Sequence, residues 1–170
     1  DKDFNWRDAY NPLDFESVRF CEARVWQFFR RLAPSLNFTY DEYIAFPNSA
    51  SPPSNLPLWI KPDQPLGVKD VMSLMRDHFE GSELDMTQDV GAGPFGLGYR
   101  WRPLTWEVKG KTYFNERAVS TQQTAFSYVS ESREHLPDAI GGVNWFGVDD
   151  TYTTLYVPLY VGIDSVPRVF

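Results

Sequence analysis

One charged residue is placed where it could hold a substrate. Arg19 lies about one helical turn after Asp14, in a segment whose other positions are largely apolar or aromatic. The planar guanidinium of an arginine binds a carboxylate or an oxyanion through paired N–H donors. The alternative is an ion pair within the helix, with Glu16 or Glu22, worth roughly 0.2–0.5 kcal/mol. Spacing alone leaves both interpretations open, and Arg19 is the candidate catalytic or substrate-orienting residue.

A second candidate is a run of polar side chains, Ser120-Thr121-Gln122-Gln123-Thr124, inside a predicted strand. Strand alternation places Ser120, Gln122 and Thr124 on one face and the other two residues on the opposite face. Two polar faces are unusual for a strand in an aromatic-rich sheet. The segment is therefore predicted either to be an edge strand or to line a polar cleft, with Ser120, Gln122 and Thr124 as the substrate-cleft candidates.

The remaining reactive side chains favour structural roles. Cys21 is the only cysteine, so no internal disulfide can form, and its place on an apolar helix stripe predicts a buried, inert thiol. His78 and His135 belong to no cluster with ligand spacing; His78 is expected to complement the dipole at a helix end. Asp149-Asp150 could ligate a hard cation, although such a pair is more typical of a solvated turn. Neither a metal nor a cofactor is predicted.

A glycine-rich segment, residues 91–96 (GAGPFG), matches the G-x-G-x-x-G pattern of phosphate-binding loops. Such a loop needs a strand before it and a helix N-terminus after it. Here the preceding DMTQDV is polar, the following YRWRP does not open a helix, and Pro94 lacks a backbone donor. The segment is predicted to be a tight loop whose glycines allow positive φ angles.

Helices are predicted in the first half of the chain. Asp14 to Leu32 is the first helix, capped by Asp14 and ended by Pro34. Phe38 to Phe46 is a short helix, and Val68 to Glu80 is the second long helix, with Gly81 at its C-terminal cap. Apolar stripes at helical spacing are expected to face the core: Val18, Cys21, Val25, Phe29 and Leu32 in the first helix, and Val68, Val71, Met72, Met75 and Phe79 in the second.

Strands are predicted in the second half, where Thr, Val, Tyr and Trp dominate. Thr105–Val108 and Thr112–Phe114 flank Lys109-Gly110-Lys111 and predict a hairpin. Three further strands are predicted at 118–130, 142–148 and 154–161. Helices first and an antiparallel β-meander last indicate an α+β fold, and the 170 residues are predicted to form a single domain.

Bulk composition excludes several classes of protein. The chain is 42% hydrophobic, which favours a folded domain over disorder. Its net charge of −7 disfavours a nucleic-acid partner. Its apolar runs are too short to predict a membrane span. The sequence opens with DKDFNW, without an initiator Met or a leader, so we expect a later piece of a longer polypeptide. A piece without its sheet partners would expose apolar surface and could form a homo-oligomer.

Seven segments, in order along nearly the whole chain, resemble the PepD-like dipeptidases. They are FCEARVWQFFRRLAPS, PLWIKPD, VMSLMRDHFEGSELDMT, DVGAGPFG, YRWRPLTWEV, NERAVSTQQTAFSYVS and LPDAIGGVNWFGVDDTYTTLYVPLY. The runs YRWRPLTW, STQQT and WFGVDD are the most specific of them. The resemblance therefore extends beyond any single motif.

The resemblance implies a four-layer αββα N-terminal-nucleophile hydrolase fold and hydrolysis of dipeptides without metal. In that class a cysteine at the mature N-terminus attacks the peptide carbonyl, with its own α-amino group as base. That cysteine belongs to the half of the family sequence that precedes this chain, so the missing N-terminal half is an expected partner. DFESVRF resembles the segment that supplies an active-site arginine in the wider group of bile-salt hydrolases and penicillin V acylases, which places that role on Arg19. A periplasmic or secreted location is implied in the same way.

A hypothesis from another class is a non-catalytic module that binds peptides or carbohydrates. Six Trp, nine Tyr and thirteen Phe could supply the aromatic surfaces of such a site. A structural or regulatory remnant that has lost its chemistry is a further alternative. The upstream coding sequence distinguishes these hypotheses, because a cysteine after a leader or initiator Met favours the peptidase.

Overall fold

The computed structural model describes residue 4, residues 6–46, 52–100 and 105–166, and residue 168. The chain forms two compact units. The first unit comprises Asp1–Pro65 and His78–Val119, and the second unit comprises Leu66–Asp77 and Ser120–Phe170. Helices and antiparallel sheets together give an α+β chain, as predicted.

The first unit begins with helical segments. A short helix α1 (Trp6–Tyr10) precedes a continuous helical stretch made of α2 (Phe15–Ser17), a π turn (Val18–Glu22) and α3 (Ala23–Leu32). The Asp14 carboxylate accepts a hydrogen bond from the Ser17 amide at 2.7 Å, and Pro34 opens a separate 3-10 turn, Pro34–Leu36. The predicted start and end of this helical stretch are therefore confirmed.

The π turn changes which residues of the stretch face the core. A π turn holds an extra residue, so it rotates everything after it relative to a regular helix. The buried apolar side chains are those of Val18, Ala23 and Trp26, whereas Val25 is exposed and Cys21 is only partly buried. The predicted stripe is therefore wrong at Val25, whereas Phe29 packs against the core as predicted.

Two shorter elements complete the predicted pattern of the first unit. Helix α4 (Tyr40–Tyr43) lies within the predicted 38–46 segment. Strands β1 (Thr105–Val108) and β2 (Lys111–Phe114) pair antiparallel across Lys109-Gly110, whose φ angles are +50° and +75°. Two successive positive φ angles are typical of the type I′ hairpin turn, and the predicted hairpin is confirmed.

Aromatic and aliphatic side chains form the core of the first unit. The Trp26 ring is fully buried, and its indole N–H donates to the Phe38 carbonyl at 2.9 Å. The buried members of this core are Val18, Ala23, Trp26, Phe38, Ile44, Phe79, Leu84, Met86 and Ala118. The core therefore fixes the helical stretch that carries Arg19.

The glycine-rich segment is a loop around an arginine. Val90–Phe95 forms a 3-10 turn, and Gly93 and Gly96 both have a φ of +62°, as the tight-loop prediction requires. A Cβ added at Gly91 would lie 2.7 Å from Nε of Arg100. That guanidinium donates to the Asp89 carboxylate at 2.6 Å and to the Met86 carbonyl at 2.9 Å. The loop therefore closes on a side chain of its own unit.

The second unit contains the β-meander. Helix α5 is Val68–Met75 and α6 is Asp138–Gly141. Strands β3 (Phe126–Ser132), β4 (Gly142–Val148) and β5 (Val157–Tyr160) form one antiparallel sheet in the order β3-β4-β5. The bounds of β4 agree with the prediction, and β5 lies within the predicted 154–161 segment. Among the described residues, no helix has the length and apolar content needed to cross a bilayer.

Two predicted elements have different bounds. Helix α5 ends at Met75, five residues early, so Gly81 is not its cap, and Phe79 adopts a φ of +66° instead of lying on a helix. The predicted strand at 118–130 begins only at Phe126. Before that point the Ser120 amide donates to the Asp77 carbonyl at 3.0 Å, and the chain turns. The predicted alternation of Ser120, Gln122 and Thr124 on one strand face is therefore wrong.

Candidate functional site

Arg19 lies in the π turn of the first unit. Turns of this kind are frequent at functional sites, because they aim a side chain away from the regular helical register. The guanidinium carbon of Arg19 lies 5.6 Å from the Phe15 ring centre and 5.7 Å from the Tyr40 ring centre. Both distances are within the range of a cation–π interaction, so two rings stabilise the charged group. Arg19 is thus a fixed, largely buried cation.

The ionic partner of Arg19 is Glu116, which sequence analysis missed. Nη1 of Arg19 lies 3.4 Å from Oε1 of Glu116, and the two side chains are 14% and 16% exposed. Within the described residues the structure thus pairs Arg19 with Glu116 rather than with Glu16 or Glu22. No local pattern marks Glu116, which follows Phe114 at the end of β2 by two residues. Only the packing of the first unit brings it to residue 19.

The Arg19–Glu116 pair leaves hydrogen-bonding capacity unused. Charge-assisted N–H···O bonds are typically about 2.7–2.9 Å long, so 3.4 Å is a loose contact. Nε and Nη1 of Arg19 and Oε2 of Glu116 are buried and have no hydrogen-bond partner among the described residues. A buried polar group without a partner costs roughly 1–3 kcal/mol, and more when it is charged. The pair is therefore poorly satisfied by itself.

Burial raises the pKa of the Glu116 carboxyl above its ordinary value. The Arg19 charge opposes this rise, Asp89 adds to it, and Arg100 opposes it. Desolvation outweighs the attraction of Arg19 because the Glu116 side chain is largely buried and its contact with Arg19 is loose. Glu116 is thus a carboxylate whose charge is incompletely compensated.

The raised pKa predicts how stability changes with pH. The folded chain binds the Glu116 proton more tightly than the unfolded chain does, so this group favours folding below its ordinary pKa of 4.5. That contribution is lost as the pH rises through the raised folded pKa. The measured quantity is the free energy of unfolding of the wild type minus that of Glu116→Gln. We expect this difference to fall as the pH rises above 4.5.

Urea unfolding at a series of pH values measures this difference. Glu107→Gln is the matched control, because Glu107 is an exposed glutamate of the same unit, on β1. Its difference from the wild type should vary less with pH. A Glu116→Gln difference that is flat or rises with pH would contradict the prediction.

A groove of about 760 Å³ also belongs to the first unit, and Tyr40 lines it. Trp26, Arg30, Phe38 and Glu83 are among its other lining residues. Trp26 and Phe38 are buried in the core, so their rings do not form the exposed flat platform that stacks against a sugar. The groove does not favour the alternative of a carbohydrate-binding module.

In the second unit, Ser120 belongs to a buried polar network. Its hydroxyl donates to Oδ1 of Asp150 at 2.7 Å, and Oγ1 of Thr151 lies 2.8 Å from the same hydroxyl oxygen. Thr151 also contacts the Met75 carbonyl at 2.6 Å. These contacts join the STQQT and WFGVDD segments through Ser120 and Asp150.

The network differs from both predictions made for its residues. Asp150 is buried, and its Oδ2 has no hydrogen-bond partner among the described residues, so the solvated-turn prediction is wrong for it. Asp149 makes the turn, with a φ of +67°, and accepts the Asp150 amide at 2.8 Å. Of the three cleft candidates, Ser120 belongs to this network; Gln122 is exposed and Thr124 is half-buried in a turn.

The network holds two segments of the second unit together. Among the described residues, the Ser120 hydroxyl bonds to Asp150 and Thr151 rather than to a histidine, so it does not form the serine–histidine pair of the usual triad. The contacts instead fix the backbone where the chain leaves α5 and where it leaves β4. Ser120 is placed to hold the 120–124 segment.

Histidine and acidic groups show no metal-binding arrangement in the part of the chain that the structure describes. His78 is buried beyond the end of α5, so its predicted role at the end of that helix is wrong. Its Nδ1 lies 3.3 Å from Oε1 of Glu80. Burial of the Glu80 carboxyl acts to raise the pKa of Glu80. The contact with Nδ1 and a hydrogen bond from the His78 amide outweigh this effect and lower the pKa of Glu80.

Comparison with known proteins gives consistent matches. The family model of peptidase family C69 matches residues 1–170. A probable dipeptidase of Latilactobacillus sakei is 24% identical over 168 residues, which cover 99% of this chain and 29% of that protein. A probable dipeptidase of Salmonella dublin is 22% identical, covering 95% of this chain and 30% of that protein. The probable dipeptidase B of Streptococcus pyogenes serotype M1 is 24% identical, with 95% and 28% covered.

These relatives are much longer than the chain. It spans about 30% of the length of the curated proteins that it matches. No solved structure matches it.

Proposed function

Because the chain belongs to peptidase family C69, we propose that it is a segment of a cysteine-type dipeptidase whose N-terminal nucleophile lies upstream of residue 1. The observation that carries this proposal is the Arg19–Glu116 pair. It offers buried, partly unused donors and an acceptor beside aromatic rings. The probable dipeptidases that the chain resembles supply the substrate class.

The proposed reaction is acyl transfer to a cysteine. The α-amino group of the N-terminal cysteine accepts the thiol proton, and the thiolate attacks the dipeptide carbonyl. The tetrahedral intermediate collapses when the proton passes to the leaving amine, and water then hydrolyses the thioester. Arg19 binds an oxygen of the substrate, which orients the carbonyl and stabilises the negative charge that develops there.

The proposed architecture is a four-layer αββα N-terminal-nucleophile fold. The helices, the three-stranded antiparallel meander and the β1–β2 hairpin are compatible with parts of such layers. In this proposal both units belong to one larger domain. The relatives, of which the chain covers about 30%, are long enough to include the remaining strands and the nucleophile.

In the proposed full-length protein, several apolar side chains that are exposed in this chain are covered by a partner segment. Leu58 and Trp59 in the PLWIKPD segment are 96% and 75% exposed, and Val90 is fully exposed. Contiguous exposed apolar surface is typical of an interaction site, and Leu58 and Trp59 are adjacent in the chain. We infer that the missing N-terminal half covers such surface; a second copy of the chain would be the alternative partner.

Dipeptide hydrolysis tests the proposal. The 170-residue chain and the full-length polypeptide are incubated separately with Ala-Ala, and the release of free alanine is measured. We expect turnover by the full-length protein only, loss of turnover when its N-terminal cysteine is changed to alanine, and turnover retained in Cys21→Ala. Turnover by the 170-residue chain that is lost in Cys21→Ala would overturn the proposal.

A further inference from the structure

The unused atoms of the Arg19–Glu116 pair set a chemical requirement on what binds there. A guanidinium only donates hydrogen bonds and a carboxylate only accepts them. Nε and Nη1 of Arg19 therefore need acceptor oxygens, and Oε2 of Glu116 needs a donor. The guanidinium and the carboxylate approach each other to 3.4 Å, measured from Nη1 to Oε1. A ligand that serves both must carry an acceptor and a donor close together.

Charge narrows the class of ligand. A buried carboxylate attracts a cationic donor more strongly than a neutral one, because water screens the interaction little. A phosphate or sulfate would pair with Arg19 but would be repelled by Glu116. In a peptide with a free N-terminus, the α-ammonium nitrogen and the first carbonyl oxygen are only three bonds apart. One residue thus supplies a cationic donor and an acceptor close to each other, as a ligand of both side chains must.

A cluster of aromatic rings lies beside Arg19 on the same unit. Phe15, which contacts the Arg19 guanidinium, packs edge-on against Phe114 at 5.3 Å and against Phe46 at 5.5 Å. Phe20 packs against Phe114 at 5.6 Å. The Phe15 ring remains 46% exposed beside the pair. An exposed ring next to a charged site can contact an apolar side chain without selecting one shape.

We propose that Glu116 binds the free α-ammonium group of the substrate, while Arg19 binds the carbonyl oxygen of the same residue. Glu116 is thereby the residue that makes the enzyme specific for peptides with an unblocked N-terminus. This inference rests on the proposed function, because it assigns a role within the same site. The raised pKa of Glu116 is consistent with a carboxylate that lacks sufficient cationic partners until a substrate binds.

The test compares a free and a blocked substrate on the full-length polypeptide. kcat/KM is measured for Ala-Ala and for N-acetyl-Ala-Ala with the wild type, Glu116→Gln and Glu107→Gln. The wild type should prefer Ala-Ala. Glu116→Gln keeps the shape but loses the charge, so its preference should fall roughly 10- to 100-fold, the worth of a hydrogen bond to a charged group. Glu107→Gln, an exposed glutamate on β1, should keep the wild-type preference.

A preference in Glu116→Gln equal to that of the wild type would overturn the inference and leave the dipeptidase assignment intact. Failure of the full-length wild type to hydrolyse Ala-Ala would instead overturn the proposed function. If thermal melting shows that Glu116→Gln does not fold, Glu116→Asp replaces it. The aspartate keeps the charge but withdraws it by one methylene, so the preference should fall by a smaller factor. An unchanged preference in Glu116→Asp would count against the inference.

Discussion

Replacing Arg19 by lysine in the full-length polypeptide is expected to lower kcat/KM for dipeptides by roughly 10²-fold, the usual effect of losing one donor to a developing oxyanion. Lysine keeps the positive charge beside Glu116 but replaces a planar set of donors with a single ammonium group. It also loses the flat guanidinium that interacts with the Phe15 and Tyr40 rings. Steady-state kinetics with Ala-Ala measures the change.

Arg31→Lys is the control for this prediction. Arg31 is exposed in the last turn of α3, so the same chemical change there should leave kcat/KM close to the wild-type value. Circular dichroism and thermal melting establish that both variants fold. An Arg19→Lys variant that folds normally and keeps wild-type kcat/KM would exclude the proposed role of Arg19.

Replacing Trp26 by alanine is expected to lower the free energy of unfolding of the 170-residue chain by about 3–5 kcal/mol. The side chain is fully buried and packs edge-on against Tyr40 at 6.1 Å. Its loss also leaves the Phe38 carbonyl without the 2.9 Å indole hydrogen bond. Because a whole domain is stable by only about 5–15 kcal/mol, much of the stability would disappear. Urea unfolding measures the effect.

Trp59→Ala provides the matched control, since Trp59 is 75% exposed. A surface substitution of this kind is expected to change the free energy of unfolding by no more than about 0.5 kcal/mol. Equal losses of stability in Trp26→Ala and Trp59→Ala would show that the core of the first unit is not where the structure places it.

Local chemistry in the sequence predicts several elements well. Asp14 and Pro34 bracket the first helical stretch because a capping carboxylate and a proline act within a few residues. Lys109-Gly110 predicts its hairpin for the same reason, since the turn depends on two residues that tolerate a positive φ. Strand β4 combines strand-forming residues with a glycine at its start, and its bounds agree with the prediction.

The incorrect bounds arise where distant contacts compete with local preference. Ser120 lies in a segment with strand-like composition, yet its amide and hydroxyl bond to Asp77 and Asp150. These partners are far away in the sequence, so no window around Ser120 contains them. The early end of α5 has the same origin, because Arg76 directly after it donates to the Thr154 carbonyl at 3.0 Å.

The candidate site was only half predictable. Arg19 is predictable because a charged residue among apolar positions of a helix is unusual. Glu116 gave no such signal, since a single glutamate near the end of a predicted strand is ordinary on a protein surface. Glu116 becomes a candidate only through its burial beside Arg19, and this burial is a property of the folded first unit.

The π turn at Val18–Glu22 has a consequence for comparing homologous sequences. Because it contains one residue more than an α-helical path, relatives without it should show a single-residue gap in an alignment of this stretch. On one side of such a gap, aligned residues would occupy the same positions around the helix axis. On the other side, aligned residues would differ by a rotation of about 100° about that axis. An arginine aligned with Arg19 across that gap would not point in the same direction. Residue identity at that position would therefore not indicate a shared active site.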